Sequence, residues 1–166
     1  MRRVAFGLGA NLGDRVAALQ GAVDIIAPHL HGPVVSSVYE TAPVGGPDQP
    51  DYANAVLVGD SDQDPADLLA LAQAAEQAWH RTREVRWGPR TLDVDVLVVG
   101  DEVSADPGLT LPHPRAHERA FVLVPWAEAD PAAVLPDGRR VADLLTSLGE
   151  VADVRRRDDV TLRLAS

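Results

Sequence analysis

The chain has 166 residues, 46% hydrophobic and 24% charged, with a formal net charge of −10 and no cysteine. That length fits one domain with a full core, and the missing cysteine excludes disulfides, thiolate metal sites and cysteine nucleophiles. The acidic balance argues against general nucleic-acid binding, which leans on broad basic surface. All fifteen basic residues are arginine, which removes the P-loop lysine, the protein-kinase lysine and any Schiff-base lysine.

In chain order, Val4 to Gly9 reads as a short buried strand, and Asp14 to about Ala27 as an amphipathic helix with Val16, Leu19, Val23 and Ile26 near helical spacing. Between them, Gly7-Leu8-Gly9-Ala10-Asn11-Leu12-Gly13 invites a dinucleotide reading, but the third glycine falls one place late for G-x-G-x-x-G. A tight turn with Asn11 or Asp14 capping the helix is the better reading. Val34 to Glu40 alternates as a strand, and a Pro/Gly-rich loop follows from 41 to 51. Tyr52 to Val58 resumes as strand. Asp64-Pro65 opens a helix whose apolar side is carried by Leu68, Leu69, Leu71, Ala75 and Ala78 to about His80. A basic loop leads into a strand from Thr91 to Val99. Pro112-His113-Pro114 makes a rigid corner, and Phe121 to Trp126 is an apolar run after a short helical stretch at Arg115 to Arg119. A final helix begins near Val141, and the charged run Arg155 to Asp159 reads as a solvated terminal tail of the one domain. Strands and helices alternate, but some strands are separated only by loops, so an α+β class fits better than a doubly wound sheet.

The segment from 81 to 95 concentrates the chemistry. It carries Arg81, Arg83, Arg86 and Arg90 with Trp87, then a strand on which Asp93 and Asp95 share one face while Leu92, Val94, Val96 and Val98 turn to the core. Carboxylates two residues apart on a strand have α-carbons roughly 6.5 to 7 Å apart, and the repulsion between them calls for a cation. Two Mg²⁺ ions can be shared by such a pair, with the arginines clamping the phosphate oxygens that the ions bridge. An ordinary solvated strand face is the bland alternative for Asp93 and Asp95 alone. Trp87-Gly88-Pro89 sets a large ring beside a hinge-capable glycine, so Trp87 is either a lid over a ligand or an anchor to the core. Tyr52 and Asn54 turn a ring and an amide edge to one side. That suits stacking and edge recognition of a nitrogen heterocycle, or equally a packed tyrosine and an asparagine bonded to loop backbone. His113 and His117 have a zinc-like spacing, but Pro114 spoils helical geometry there, so His113 and Arg119 read as phosphate contacts and His117 as a structural or surface residue.

Several blocks together resemble the signature of the 6-hydroxymethyl-7,8-dihydropterin pyrophosphokinase family. They are Phe6 to Asp14, Tyr39 to Pro43, Asp48 to Ala55, Arg86 to Asp95 and Leu111 to Arg115, in order and at matching spacing. Pro114 and Gly108 stand where some members carry tyrosine and arginine. The resemblance implies a ferredoxin-like sandwich with a mainly antiparallel sheet flanked by helices, and transfer of pyrophosphate from MgATP to the pterin's hydroxymethyl group with release of AMP, in folate biosynthesis. By that resemblance Asp93 and Asp95 ligate two Mg²⁺. Arg81, Arg90, His113 and Arg119 meet the triphosphate of ATP, and Gln73, Glu76, Val96 and Thr110 border the nucleotide. Thr41, Pro43, Val44, Tyr52, Asn54, Asp93 and Phe121 form the pterin pocket, with the ring between Tyr52 and Phe121. Arg83 and Trp87 belong to a closing loop, and Arg81, Arg83 and Arg90 join the aspartates in catalysis.

A nucleotide-binding module without turnover and a two-metal phosphohydrolase are the competing readings. The first leaves the acidic pair unexplained beside a polyanion, and the second needs more ligands than one Asp pair. The start of the chain lacks the apolar run and cleavage site of a signal peptide, and no stretch approaches the roughly 20 apolar residues of a membrane span. A monomeric cytoplasmic enzyme acting on small molecules, without nucleic-acid or membrane partners, is expected.

Overall fold

The alternation in β1 (Arg2–Ala10) sends Val4, Phe6, Leu8 and Ala10 to one side of a sheet and Ala5 to the other, and each set nucleates its own core. The structure is a computed structural model that describes residues 1–11, 14–41, 52–83, 92–149 and 154–164, with backbone alone for 81–83. After β1 come α1 (Arg15–Ile26), β2 (His31–Val35), β3 (Val38–Thr41), β4 (Tyr52–Ser61), α2 (Pro65–Arg83), β5 (Leu92–Val99), β6 (Ser104–Asp106), β7 (Leu109–Leu111), α3 (Ala120–Ala129), α4 (Val141–Ser147) and β8 (Val154–Arg157). The main sheet runs β5-β1-β4-β3-β8, with β2 also on β4, and its described pairings are antiparallel. β6 and β7 form a separate hairpin.

Helices α1 and α2 cover one face through Leu19, Val23, Ile26, Leu68, Ala72 and Trp79, and α3 and α4 cover the other through Leu123, Trp126 and Val141. The class is therefore α+β, a sheet sandwiched between helices. Asp14 caps α1, its carboxylate accepting from the Ala17 N–H at 3.0 Å, which decides between the two caps the sequence offered.

The structure corrects several local expectations. On α2 the buried stripe is Leu68, Ala72, Ala75 and Trp79, a quarter-turn from the expected Leu69 and Ala78. The single strand expected from Val34 to Glu40 is broken at Ser36–Ser37. The Ser36 hydroxyl takes the Val56 N–H at 2.9 Å, and the pairing with β4 slips by one residue between Val35↔Leu57 and Tyr39↔Asn54. On β5 the register shifts opposite Ala5 and Phe6, so Val98 joins Leu97 in the α3-side core instead of lying with Val94 and Val96. A bulge moves every later side chain to the other face. The apolar run from Phe121 is a helix, with Pro125 inside it. The charged run at 155–159 is not simply a solvated tail: Val154–Arg157 is the edge strand β8 on β3, and Arg157 reaches Glu40 at 2.8 Å. Backbone pairing and a half-buried carboxylate organise residues whose composition alone reads as solvent-facing.

Candidate active site

Helices α3 and α4 cover only part of their face of the sheet, and beyond them lies a cleft of about 550 Å³. Its floor is the glycine stretch of β1. Gly9 lies in register between Asn54 of β4 and Asp93 of β5, and Gly7 between Val56 and Asp95. A strand interior with two glycines on one face gives up side-chain packing and gains close approach to backbone. Asp93, Asp95 and Leu97 form one wall, Thr41, Tyr52 and Asn54 the other, and Phe121, Arg119, Arg115 and His113 close in from the loop before α3 and its first turn. β5 thus delivers both aspartates to the cleft while Leu92, Val94 and Val96 hold the strand in the core beneath α1 and α2.

Burial against the cleft walls, with Asp95 adding repulsion, raises the Asp93 pKa above its ordinary value. His113 stands 3.9 Å from Asp95, Nε2 to Oδ2. Its Nδ1 accepts the Arg115 N–H at 3.3 Å, so the proton of the neutral ring sits on Nε2, toward the aspartate. Burial lowers the His113 pKa, Arg119 adds to this, and Asp95 opposes it. The Arg119 guanidinium lies over the Phe121 ring at 5.5 Å from its centre, which orients both groups at the cleft mouth. Across the cleft, the Asn54 amide donates to the Thr41 hydroxyl at 3.0 Å, and both side chains are buried. Asn54 is therefore satisfied by a neighbouring strand, not by loop backbone, and its amide edge is fixed at the floor.

Of the residues expected from sequence, Thr41, Tyr52, Asn54, Asp93, Asp95, His113, Arg119 and Phe121 line this one cleft. Arg115, Gly7 and Gly9 line it too and were not singled out for the site. The signal for the glycines was their i, i+2 spacing on a strand. Gln73, Glu76, Val96 and Thr110 do not line it. Val96 is buried in the helix-side core, Thr110 donates its hydroxyl to the Asp106 carbonyl at 3.0 Å, and Glu76 accepts the Val94 N–H at 2.9 Å. His117 is away from the cleft, with Nε2 3.4 Å from the Glu118 carboxylate. Arg81 and Arg83, expected in the basic loop after His80, instead fall in the last turn of α2, which runs on to Arg83. Pro43, Val44, Arg86, Trp87 and Arg90 lie outside the described residues.

Among the described residues, no group of three or more His, Cys, Asp or Glu gathers as a metal site. Asp93 and Asp95 are a two-carboxylate donor set, the kind that suits Mg²⁺ ions which keep substrate phosphates as their other ligands. No described helix is long and apolar enough to cross a membrane.

The family model for 7,8-dihydro-6-hydroxymethylpterin-pyrophosphokinase (HPPK) matches residues 5–131. The chain belongs to the HPPK family. Relatives named 2-amino-4-hydroxy-6-hydroxymethyldihydropteridine pyrophosphokinase include one from Pseudomonas aeruginosa, 40% identical over 149 residues, covering 89% of this chain and 92% of that protein. One from Mycobacterium tuberculosis is 43% identical, covering 98% of this chain and 90% of its own length. One from Bacillus subtilis is 45% identical over 131 residues, covering 77% and 78%. Among solved structures, an HPPK-DHPS in complex with substrates overlays with a TM-score of 0.74 at 10% identity, across 98% of this chain and 47% of that one. A Plasmodium falciparum HPPK-DHPS triple mutant with pteroate gives 0.72 at 14% identity, across 98% and 48%. This chain spans about half the length of those solved chains, and at that identity they speak for the fold alone, which is the ferredoxin-like sandwich. As an HPPK-family member the enzyme is an ATP-dependent diphosphotransferase that moves pyrophosphate from ATP to hydroxymethyldihydropterin in folate biosynthesis.

Proposed function

We propose that the cleft between β4 and β5 is where this transfer occurs, with the pterin held on the β4 side and the nucleotide on the β5 side of the glycine floor. The observation that carries this reading is the register of Gly9, with Asn54 on one neighbouring strand and Asp93 on the other. Two strand spacings separate those side chains, roughly 10 Å. That span accommodates a bicyclic ring with its hydroxymethyl arm directed at the aspartates.

Tyr52 and Phe121 stack on the ring, with Thr41, Asn54, Pro43, Val44 and Asp93 around it. Asn54 reads the ring edge because its geometry is already fixed by Thr41. Asp93 and Asp95 hold two Mg²⁺ ions, and the bound ions supply charge neutralisation of the triphosphate and a template for in-line attack. Arg81, Arg90, His113 and Arg119 contact the phosphates, while Gln73, Thr110 and the backbone at Val96 border the nucleotide. Glu76 sits at that same edge. Arg83, at the end of α2, and Trp87 close over the filled site and exclude water. The acceptor hydroxyl attacks the β-phosphorus, the bond to the oxygen bridging α and β breaks, and AMP leaves. The chain's own work is to align the hydroxyl and to keep the arginines on the developing charge, since this chemistry needs position and charge neutralisation more than a strong base. The protein acts as a single pyrophosphokinase domain and a monomer.

A pair of variants tests the division of the cleft. Asn54→Ala should raise the pterin KM while leaving MgATP affinity, measured by calorimetry, near that of the parent. Asp95→Asn should weaken MgATP binding while pterin affinity holds. Both variants weakening the same ligand equally would overturn the arrangement.

A further inference from the structure

Glu76 occupies a position where a carboxylate is hard to explain by its own helix. The buried stripe of α2 is Leu68, Ala72, Ala75 and Trp79, and Glu76 follows Ala72 by four residues and Ala75 by one, at the border of that stripe. It is partly buried. An acid at such a site costs desolvation unless something holds it. What holds it is the Val94 N–H, which it accepts through Oε2 at 2.9 Å. Val94 is the residue between Asp93 and Asp95, and among the described residues β5 is an edge strand of the sheet, paired with β1 on its other side. Backbone N–H groups on an edge strand need a partner or water. Here a side chain from the packed helix provides one at the midpoint of the acidic pair.

We propose that Glu76 is a positioning residue, whose carboxylate pins the β5 backbone at Val94 and so fixes how Asp93 and Asp95 face the nucleotide-bound metal. The role rests on the reading of Asp93 and Asp95 as Mg²⁺ ligands. It assigns Glu76 an action through the strand, in place of a direct contact with the nucleotide. Groups that orient metal ligands without touching the metal commonly carry roughly 10- to 100-fold of metal affinity. The hydrogen bond asks only for an acceptor, so a glutamine at this position should keep most of it.

The test compares Glu76→Gln and Glu76→Ala with the parent in two readouts. The first is exchange of the Val94 amide in the metal-free protein, followed by NMR. The second is the Mg²⁺ concentration giving half-maximal turnover at saturating ATP and pterin. Glu76→Ala should speed Val94 exchange and raise the Mg²⁺ requirement by roughly tenfold or more, while Glu76→Gln should stay within about threefold of the parent in both. An unchanged Val94 amide in Glu76→Ala would overturn the tether. Glu76→Gln that protects Val94 yet loses Mg²⁺ response as badly as Glu76→Ala would also overturn the proposal, because the charge would then act directly on metal or nucleotide. Asp93→Asn and Asp95→Asn, run alongside, separate the two failures. If neither alters the Mg²⁺ requirement, the metal reading itself falls, whatever the Val94 amide does.

Discussion

Gly9 acts by lacking a side chain. Its backbone needs no glycine-specific conformation, and a β-carbon built there would meet Asn54 Oδ1 at 3.3 Å and otherwise point into open space. The substitution Gly9→Ala therefore crowds the ring-reading amide without straining the strand. The pterin KM should rise by roughly 10- to 100-fold, as for a single misplaced methyl in a fitted pocket, with MgATP affinity little changed. Pterin titration at saturating MgATP checks this, and an unaltered KM would remove Gly9 from the site. Asp93 carries a prediction about pH. Its raised pKa in the metal-free fold means that the charged form is disfavoured by burial and by Asp95. For a raised carboxyl, the folded state gains at low pH and loses that gain as pH rises through the folded pKa. Metal-free Asp93→Asn should therefore melt above the parent at neutral pH, and the difference should shrink on acidification. The same variant should lose most of its activity. A melting temperature at or below the parent's at neutral pH would argue against the strained acidic pair. The shared face of Asp93 and Asp95 was legible in the sequence because alternation is local. That Asn54 is bonded to Thr41 was not, since that contact joins two strands.

At the scale of elements, one carboxylate links α3 to β3, beside the core packing of Leu123 and Trp126. Glu128 accepts from the Ser37 N–H at 2.9 Å, the Ser37 hydroxyl at 2.7 Å and the Tyr39 hydroxyl at 2.8 Å. These bonds tie the helix that bears Phe121 to β3, which ends at Thr41. Burial raises the Glu128 pKa, but the hydrogen bonds outweigh it and leave the group below its ordinary value. Tyr39 is pushed up to about 12 by burial and by that same carboxylate. Replacing Glu128 by Ala should cost about 1.5 to 3 kcal/mol, the usual worth of hydrogen bonds to a charged group. Since the folded pKa is depressed, this contribution is present above the unfolded pKa and is lost as pH falls through the folded one. The stability gap between parent and Glu128→Ala, measured by denaturant unfolding, should accordingly narrow in acid. A gap independent of pH would mean that packing, not the charged latch, holds the helix. Nothing in the sequence marks Glu128, because its partners lie about ninety residues away. The strand break at Ser36–Ser37 and the β8 edge strand were hidden for the same reason, each being set by a partner strand and not by the segment's own composition.

At the scale of the whole molecule, closure over the filled site would show in Trp87. If Trp87 closes over the filled cleft, fluorotryptophan labelling of the chain's three tryptophans should show one ¹⁹F line moving only when a non-hydrolysable ATP analogue, Mg²⁺ and pterin are all present. Trp79 and Trp126 are buried and should stay still. Loss of the moving line in Trp87→Phe assigns it, and three static lines would make Trp87 a fixed anchor. Local periodicity and blocks read in order along the chain were enough for the α+β class, the family resemblance and half of the residues that line the cleft. Folding in three dimensions was needed to set Gly9 between Asn54 and Asp93, to bring the Glu76 carboxylate to the Val94 N–H, and to make a terminal arginine run a strand. Each of those follows from cross-strand register or from helix-on-sheet docking. Register depends on where bulges fall, as at Ala5 and Phe6 against β5, and a one-residue slip reverses every face beyond it. No local pattern carries that information.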